Sequence, residues 1–388
     1  MRILLTLLIL LRPTDGLRLA VLSKVIVDTI DGERRPGGGG VQAAVGATLG
    51  NPSLETSLHA PVGCDFALSV VDDRSLAAQH GVDLAGVTRL EHVATTPGEI
   101  ISYGPGGRMQ FVPVGWESWE ALCEWVPPLA DAPYDAMHVI VEGAGGGEVD
   151  AALAACATAA ELPLITLEPV MQEVTPASVQ GLCRLSRYAT LASPDLATAV
   201  CICAVSADAA SPEDGADAAA NFPPRRPAAV TDDVLAAARA NASVVNLAAT
   251  CFDSLCMQPG SCLAIRDGAH GSYLYTRPAP DAPAWQWLAS APGNREHEWC
   301  VTVPAVDLQS VADPTGAGNA YAGAFCSQLA SGAALARAAA RASAVGAAFC
   351  RTEQWAPPNV AETRRWVAER SAEIERELEQ RAQQSQCQ

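Results

Sequence analysis

Residues 311–325 read VADPTGAGNAYAGAF, a glycine-rich turn that leads directly into an alanine-rich run. Gly316 and Gly318 allow the backbone to turn tightly and leave N–H groups facing outward. The N-terminus of the helix that follows adds partial positive charge at the same point. Gly316, Ala317 and Gly318 are therefore a candidate anion hole for a phosphoryl group in transfer. The same glycine-rich pattern also occurs at helix starts that bind no ligand. The chain contains no P-loop motif, which argues against a P-loop kinase.

Short apolar runs alternate with alanine-rich runs along most of the chain. A strand predicted from Arg18 to Ile30 ends near Asp28, and Gly37–Gly40 then leads into a helix predicted over 41–49. Further strands are predicted at 137–141, 164–167, 189–192, 261–265 and 272–276, with helices at 148–160, 178–186 and 232–241. Repeated β-α-β units predict a mostly parallel sheet with helices on both faces, which is a three-layer α/β/α sandwich.

Other segments depart from this alternation. Residues 100–112 predict a β-hairpin that forms a small sheet apart from the main body. Residues 207–229 are rich in Asp, Ala and Pro, which predicts a disordered surface insertion. The charged run over 360–388 predicts a solvated C-terminal helix. Arg34 and Arg35 are interpreted as ordinary surface charges rather than as contacts to a phosphorylated sugar.

The composition argues against some partners and compartments. The chain of 388 residues has a formal net charge of −18, and a field of that sign repels nucleic-acid backbones. Its 13 cysteines show no metal-ligand spacing and lie mostly in apolar runs, which favours buried thiols in the reducing cytoplasm. The apolar run Ile3–Leu11, within residues 1–16, suits a signal or transit segment and is too short for a membrane span, so another compartment is the alternative. No other stretch predicts a stable membrane span.

The turn at 311–325 resembles the C-terminal signature of the PfkB/ribokinase carbohydrate kinases. In that signature Asp is followed by Thr or Pro, then by x-Gly-Ala-Gly-Asp and an apolar helix. Gly37–Gly40 resembles the family's N-terminal substrate segment, and residues 266–272 resemble the strand-turn-strand beside the nucleotide. The resemblance spans about residues 17–350 and implies a ribokinase-like kinase domain over 17–359. It also implies that residues 92–114 form a β-lid over a sugar, and lid strands in this family sometimes pair in a homodimer.

The resemblance implies a site for ATP, Mg²⁺ and a sugar or nucleoside-like small molecule. Substrate contacts fall on Asp28, Gly38, Gly39 and Gln42. The residues implied to contact the nucleotide are Asp313, Thr315, Gly268 and Gly271, and Asp195 is implied to bind a hydrated Mg²⁺. The catalytic positions are Gly316, Ala317, Gly318 and Asn319.

The chain departs from the family pattern at two functional positions. The family's proton-accepting Asp is replaced by Asn319, and an amide can orient a hydroxyl but cannot take its proton. The family's Asn-x-x-Glu, which organises Mg²⁺ and phosphate through water, is replaced by Ser193 and Leu196, although neighbouring Asp195 can still serve a hydrated cation. A smaller departure concerns the family's sugar-contacting Asn, which aligns with Gln42 when counted from Gly37 or with Val41 when counted back from Leu49-Gly50.

These departures leave three hypotheses open. The first is an ATP-dependent sugar kinase, a phosphotransferase with an alcohol acceptor, whose turnover is slow because a general base contributes roughly 10²–10⁴-fold. The second is a pseudokinase that binds nucleotide or sugar as a sensor or scaffold. The third is a kinase in which another carboxylate, Asp253 or Asp313, stands in as the base.

Overall fold

The computed structural model describes residues 16–30, 32–66, 75–103, 109–129, 134–142, 147–159, 162–209, 226–277 and 299–386. Several predictions from the sequence lie outside these residues. They concern the apolar N-terminal run, the tip of the hairpin at 104–108 and most of the predicted insertion, residues 210–225. The part of that insertion within the described residues comprises the end of a helix at Ala209 and a short 3₁₀ turn at Pro227–Ala229.

The described residues form one large sheet of nine strands. Its strands are β1 (Arg18–Leu22), β4 (Glu55–Val62), β5 (Val82–Arg89), β8 (Ala136–Val141), β9 (Leu164–Pro169), β10 (Leu191–Ala192), β11 (Cys262–Arg266), β12 (Ser272–Thr276) and β13 (Trp299–Val303). Their order is β13-β12-β11-β10-β9-β8-β1-β4-β5. All neighbours are parallel except β11–β12 and β12–β13, which are antiparallel. The predicted mostly parallel sheet is confirmed.

Helices cover both faces of this sheet. They are α1 (Gly40–Gly50), α2 (Leu76–Gln79), α3 (Trp119–Glu124), α4 (Gly147–Thr158), α5 (Pro176–Ser186), α6 (Leu196–Ala209), α7 (Asp232–Arg239), α8 (Asn241–Ser254), α9 (Ala317–Ala330), α10 (Leu335–Cys350) and α11 (Val360–Gln386). Side chains of β1 alternate between two cores: Leu19 and Val21 pack with α1, α9, α10 and α11, whereas Ala20 and Leu22 pack with α4, α5, α6 and α8. Such alternation is expected of a strand buried on both faces, and the three-layer α/β/α sandwich is confirmed.

A second, four-stranded sheet forms the predicted lid. Its strands are β2 (Ile26–Ile30), β3 (Glu33–Gly37), β6 (Gly98–Tyr103) and β7 (Met109–Val114), in the order β3-β2-β6-β7. β6 and β7 pair antiparallel, as the predicted hairpin requires. Here this four-stranded sheet is called the lid sheet.

The strand predicted as continuous from Arg18 to Ile30 is two strands in two sheets. β1 ends at Leu22, and the chain leaves the main sheet through Ser23–Val25 before β2 begins in the lid sheet. Ser23 fixes the crossing, because its N–H donates to His59 O at 3.1 Å and its Oγ to Gly38 O at 3.1 Å. The polar pair Ser23-Lys24 marks the crossing in the sequence, but two polar residues within a strand-like run do not by themselves show that the chain changes sheet.

The C-terminal helix was predicted to be solvated, but one of its faces is buried. Val367, Ile374 and Leu378 are buried in the core beside α10, and Thr363 and Ser371 continue the same buried stripe. Their spacing of three and four residues is that of one helix face. The many charged residues on the opposite face hid this stripe in the composition.

Two properties of the whole chain can be checked on the described residues. No disulfide joins the cysteines between Cys64 and Cys350 in this part of the chain, as the apolar context of the thiols predicts. No single described helix is long and apolar enough to cross a membrane, although two helices bent by 97°, Asp232–Arg239 and Ser243–Ser254, reach that length and composition together.

Candidate active site

The glycine-rich turn opens α9 as the sequence predicts. Gly316 is the N-cap of α9 and has a φ of 77°, a left-handed conformation that favours glycine. Among the described residues, the backbone N–H groups of Gly318 and Asn319 have no hydrogen-bond acceptor. Asp313 stiffens the approach to the turn, since its Oδ1 accepts from the Thr315 N–H at 2.8 Å. Two unsatisfied amides at a helix N-terminus make a site that favours an anion.

Asn319 lies at the third residue of α9 and is not its N-cap. Its Nδ2 donates to Glu168 Oε1 at 3.1 Å. The same amide nitrogen would lie 2.4 Å from a Cβ at Gly39, so the glycine segment at 37–40 reaches the start of α9 only because Gly39 has no side chain. A residue of the predicted substrate segment and one of the predicted catalytic turn, far apart in sequence, are thus in close proximity.

A cleft opens between the lid sheet and this turn. It is lined by Asp28, Ile30, Arg35, Pro36, Gln42, Asp313, Thr315 and Trp355. Four of these residues, Asp28, Gln42, Asp313 and Thr315, are predicted site residues. The structure brings them together around one space.

Asp28 is buried at the base of this cleft. Its Oδ1 accepts from the Glu99 N–H at 3.2 Å, and its Oδ2 would lie 1.9 Å from a Cβ at Gly37. Burial, with a smaller contribution from the neighbouring Glu99 carboxylate, raises the pKa of Asp28 to about 7. Asp28 therefore changes its protonation near neutral pH.

The side chain of Arg35 is largely buried, whereas the sequence analysis predicted an ordinary surface residue. Its guanidinium is 14% exposed and its Nη1 lies 2.9 Å from Asp313 Oδ2. This ion pair joins strand β3 of the lid sheet to the loop before α9. Gln42 also faces inward: its Nε2 donates to Pro36 O at 2.8 Å, and its Oε1 is buried without a partner among the described residues.

A buried polar network behind Asn319 was not predicted from the sequence. Glu168, at the end of β9, is fully buried and accepts from Asn319 and from Arg266, and its Oε2 lies 3.1 Å from His138 Nε2. His138 in turn contacts Thr166 Oγ1 at 2.8 Å. The sequence indicates Glu168 only as a residue after a strand, and no spacing links it to Arg266, which is 98 residues away.

Comparison with known proteins identifies the architecture. Residues 256–362 match the family model described as pfkB family carbohydrate kinase. The ribokinase of Cryptococcus neoformans var. grubii serotype A, solved in complex with ADP, matches with a TM-score of 0.61 and 18% identity, over 90% of this chain and 98% of that one. The chain has a ribokinase-like fold. No curated protein sequence matches it.

Further solved structures share the ribokinase-like fold with different bound ligands. A nucleoside kinase of Burkholderia thailandensis, in complex with inosine, matches with a TM-score of 0.58 and 16% identity, over 92% of this chain and 96% of that one. A putative ribokinase II of E. coli, in complex with ATP and Mg²⁺, matches with a TM-score of 0.56 and 16% identity, over 91% and 99%.

Within this ribokinase-like fold, the positions predicted to organise Mg²⁺ are engaged in local structure. Ser193 Oγ donates to Ala264 O at 3.1 Å, and Leu196 is buried. The carboxylate of Asp195 accepts from the Thr198 N–H at 2.7 Å and from Thr198 Oγ1 at 3.0 Å, so it caps the first turn of α6. The described residues contain no group of three His, Cys, Asp or Glu side chains arranged to hold a metal ion.

The predicted nucleotide turn between β11 and β12 is a 3₁₀ turn. Gly268 and Gly271 have φ values of 53° and 91°, and a Cβ at Gly271 would lie 2.1 Å from Val303 O. Asp267 anchors the turn through two hydrogen bonds of 2.8 Å from Arg239. Both glycines are therefore required by the backbone conformation of the turn. The turn starts directly after Arg266.

Proposed function

We propose that this chain is a pfkB-family kinase that transfers the γ-phosphoryl group of ATP to a hydroxyl of a sugar or nucleoside. The observation that carries the proposal is the pair of unsatisfied N–H groups of Gly318 and Asn319, beside a cleft that also holds Asp28 and Gln42. The match of residues 256–362 to the pfkB carbohydrate kinases and the ribokinase-like fold support the same reaction class.

The acceptor is proposed to bind in the cleft under the lid sheet. Asp28 and the buried Gln42 would hydrogen-bond its hydroxyl groups, and Gly38 and Gly39 would allow its close approach to the backbone. A Cβ at Gly38 would lie 2.4 Å from Lys24 O, so this segment is fixed against the crossing between the sheets. Such preorganised polar groups orient a small polyol without adjustment of the chain.

The transferred phosphoryl group is proposed to lie at the N-terminus of α9. Gly316, Ala317, Gly318 and the Asn319 N–H would face its oxygens, and Asp313 and Thr315 would hold the loop in place. Gly268 and Gly271 would shape the neighbouring turn on the nucleotide side. Mg²⁺, when bound, would neutralise the β- and γ-phosphates. Because Asp195 is engaged with Thr198, the ion would be held mainly by the nucleotide and water, with Asp195 touching it through water.

Asn319 sets the rate in this proposal. Its Nδ2 is committed to Glu168, which leaves Oδ1 as an acceptor that can orient the attacking hydroxyl but cannot keep its proton. Asp253 is not a substitute base, because it is exposed and pairs with Arg277, and Asp313 is paired with Arg35. The hydroxyl proton is therefore proposed to leave to water, and turnover is slow by roughly 10²–10⁴-fold.

The test is phosphoryl transfer from ATP-Mg²⁺ to a panel of sugars and nucleosides by wild type, Asn319→Asp and Asn319→Ala. We expect slow transfer by wild type and faster transfer by Asn319→Asp. The new carboxylate would lie within hydrogen-bond distance of Glu168, so its pKa is expected above the ordinary value. Asn319→Ala is the matched control that removes the orienting amide and adds no base. Nucleotide binding without transfer by any of the three would overturn the proposal.

That last outcome would favour a second function. A nucleotide-binding protein without turnover is supported by one specific observation: Asn319 and Leu196 together replace the groups that would accept the proton and organise Mg²⁺. Equilibrium binding of ATP and ADP, measured beside the transfer assay, separates the two functions.

A further inference from the structure

Arg266 places a cation at the proposed phosphoryl site. The resemblance puts residues 266–272 beside the nucleotide but gives the Arg266 side chain no role of its own. It is the last residue of β11, and a Cβ at Gly318 would lie 2.6 Å from its Nη1 and 3.4 Å from its Cζ. The guanidinium therefore lies against the first turn of α9. Gly318 makes this contact feasible because it has no side chain.

The position of Arg266 is electrostatically unusual. A helix N-terminus carries partial positive charge, so a guanidinium beside it is repelled unless an anion lies close to both. Glu168 supplies one carboxylate, but its Oε1 is shared between Arg266 and Asn319. One carboxylate thus faces the Arg266 guanidinium, the Asn319 amide and the His138 ring, and it reaches neither of the N–H groups of Gly318 and Asn319.

Arg266 has donor capacity left over. Its side chain is 11% exposed and Nη1 donates to Glu168 Oε1, while Nη2 has no hydrogen-bond acceptor among the described residues. A guanidinium offers five N–H donors in a plane. A ligand that satisfies them beside the Gly318 and Asn319 amides must bring several negative oxygens, as a phosphoryl group does.

We propose that Arg266 contacts the transferring phosphoryl group and stabilises its charge, and that Glu168 is the positioning residue that holds Arg266 there. This inference rests on the proposed kinase function and adds a residue to it. The acceptor oxygen forms a bond to the γ-phosphorus, and the bond from that phosphorus to the β–γ bridging oxygen breaks. ADP leaves with that electron pair, and the hydroxyl proton goes to water. Arg266 donates N–H bonds to the phosphoryl oxygens throughout and takes no proton.

This role would offset the departures at Asn319 and Leu196. The phosphoryl group in transfer carries its charge on oxygens that protein cations can reach. With the metal-organising pair replaced by Ser193 and Leu196, Arg266 supplies positive charge from the chain itself. Its buried support, Glu168 and His138, keeps the guanidinium in place before substrate binds, as electrostatic preorganisation requires.

The experiment uses four variants of the full chain: Arg266→Met, Arg266→Lys, Gly318→Ala and Glu168→Gln. Arg266→Met removes the charge, and Arg266→Lys keeps charge but loses the planar donors. Gly318→Ala displaces the guanidinium while its charge remains. Arg277→Met, at the end of the adjacent strand and paired with Asp253 outside the cleft, is the matched control. Circular dichroism and thermal midpoints identify any variant that fails to fold.

Three readouts are taken: binding of MgADP, binding of MgADP with aluminium fluoride as a mimic of the phosphoryl group in transfer, and kcat with the best acceptor of the panel. We expect Arg266→Met to lower kcat and the extra affinity for the fluoride complex by about 10²–10³-fold, with ADP affinity changed far less. Arg266→Lys and Gly318→Ala should show intermediate losses. Glu168→Gln should lower kcat more than it raises KM, which a purely structural role would not do.

The result that would overturn the inference is a folded Arg266→Met or Gly318→Ala variant that binds the fluoride complex as tightly as wild type. Wild type that fails to bind MgADP would instead overturn the proposed function, and the inference with it. The fluoride readout does not depend on acceptor identity, so a failed acceptor panel does not obscure the role of Arg266.

Discussion

Asp28 illustrates how one buried carboxyl group in the cleft under the lid sheet affects stability. Its pKa of about 7 exceeds the ordinary value of 3.8 because the group is buried near Glu99. The folded protein therefore keeps a proton that the unfolded chain loses between about pH 4 and pH 7. By linkage, the stability contributed by this group is present at low pH and falls as pH rises through that window.

The first prediction follows from this loss of stability with rising pH. Replacing Asp28→Asn keeps the shape and removes the titration, so the variant should gain stability relative to wild type as pH rises from about 4.5 to 7.5, by on the order of a few kcal/mol. Urea denaturation at a series of pH values measures the difference. The control is Asp307→Asn at an exposed loop position, for which we expect no pH-dependent difference. A flat difference for Asp28→Asn would contradict the prediction.

At the scale of residues, glycine-rich motifs were readable from the sequence and paired charges were not. Gly316, Gly318 and Gly39 are required by a positive φ or a close approach, and their clustering in the chain shows at once. Glu168 and Arg266 meet from two strands 98 residues apart. Neither has a local pattern that distinguishes it from a strand-end residue, so only the folded sheet reveals their contact.

At the scale of elements, the crossing of α1 and α9 sets the geometry of the site. α1 follows the glycine segment at 37–40, and α9 carries Asn319. A Cβ at Gly46 would lie 2.2 Å from Ala320 O, and a Cβ at Gly323 would lie 2.0 Å from Ala43 O. The two helix backbones are therefore in direct contact, which holds the glycine segment at 37–40 and the glycine-rich turn before α9 at a fixed separation.

The second prediction concerns this crossing. Gly323→Ala must push the helices apart, because the obstructing atoms belong to backbone, and we expect a loss of about 2–3 kcal/mol in the free energy of unfolding. Urea denaturation measures it. Gly346→Ala on α10 is the matched control: its Cβ would lie 3.1 Å from Ala317 O, so the change should stay within about 1 kcal/mol as helix propensity compensates. Equal losses for both variants would show that the crossing is not the cause.

The predicted elements are those whose short apolar or alanine-rich runs are bounded by glycine, proline or polar residues, whereas β4, β5, α6, α8 and α10 were not predicted. Two misreadings share one cause, which is that a local pattern does not report on the partner. The run 18–30 passes from one sheet to another, and α11 hides a buried stripe beneath a charged majority. The hairpin at 98–114 was predicted because both of its strands and their turn lie within one short segment.

At the scale of the whole molecule, a buried ion pair joins the crossing between the two sheets to helix α4. Lys24, in the crossing between β1 and β2, is 1% exposed, and its Nζ lies 2.8 Å from Glu148 Oε1 at the start of α4. Burial acts to lower the pKa of Lys24, but Glu148 and Glu142 outweigh it and raise the pKa above its ordinary value. Burial also raises the pKa of Glu142 well above its usual range, although Lys24 opposes this. The lysine is thus the cation of a carboxylate-rich region under the lid.

The last prediction is a double-mutant cycle on this pair. Lys24→Met alone should cost about 3–5 kcal/mol of unfolding free energy, because it leaves the 4% exposed Glu148 side chain without its partner. Adding Glu148→Gln should recover much of that loss, since the unpaired buried charge is then absent. Arg226→Met, which breaks an exposed pair with Glu173, is the control and should cost less than about 1 kcal/mol. Additive effects in the cycle would mean that Lys24 contributes through packing on Trp119, 5.4 Å from its Nζ, and that the crossing is held against α4 without this charge pair.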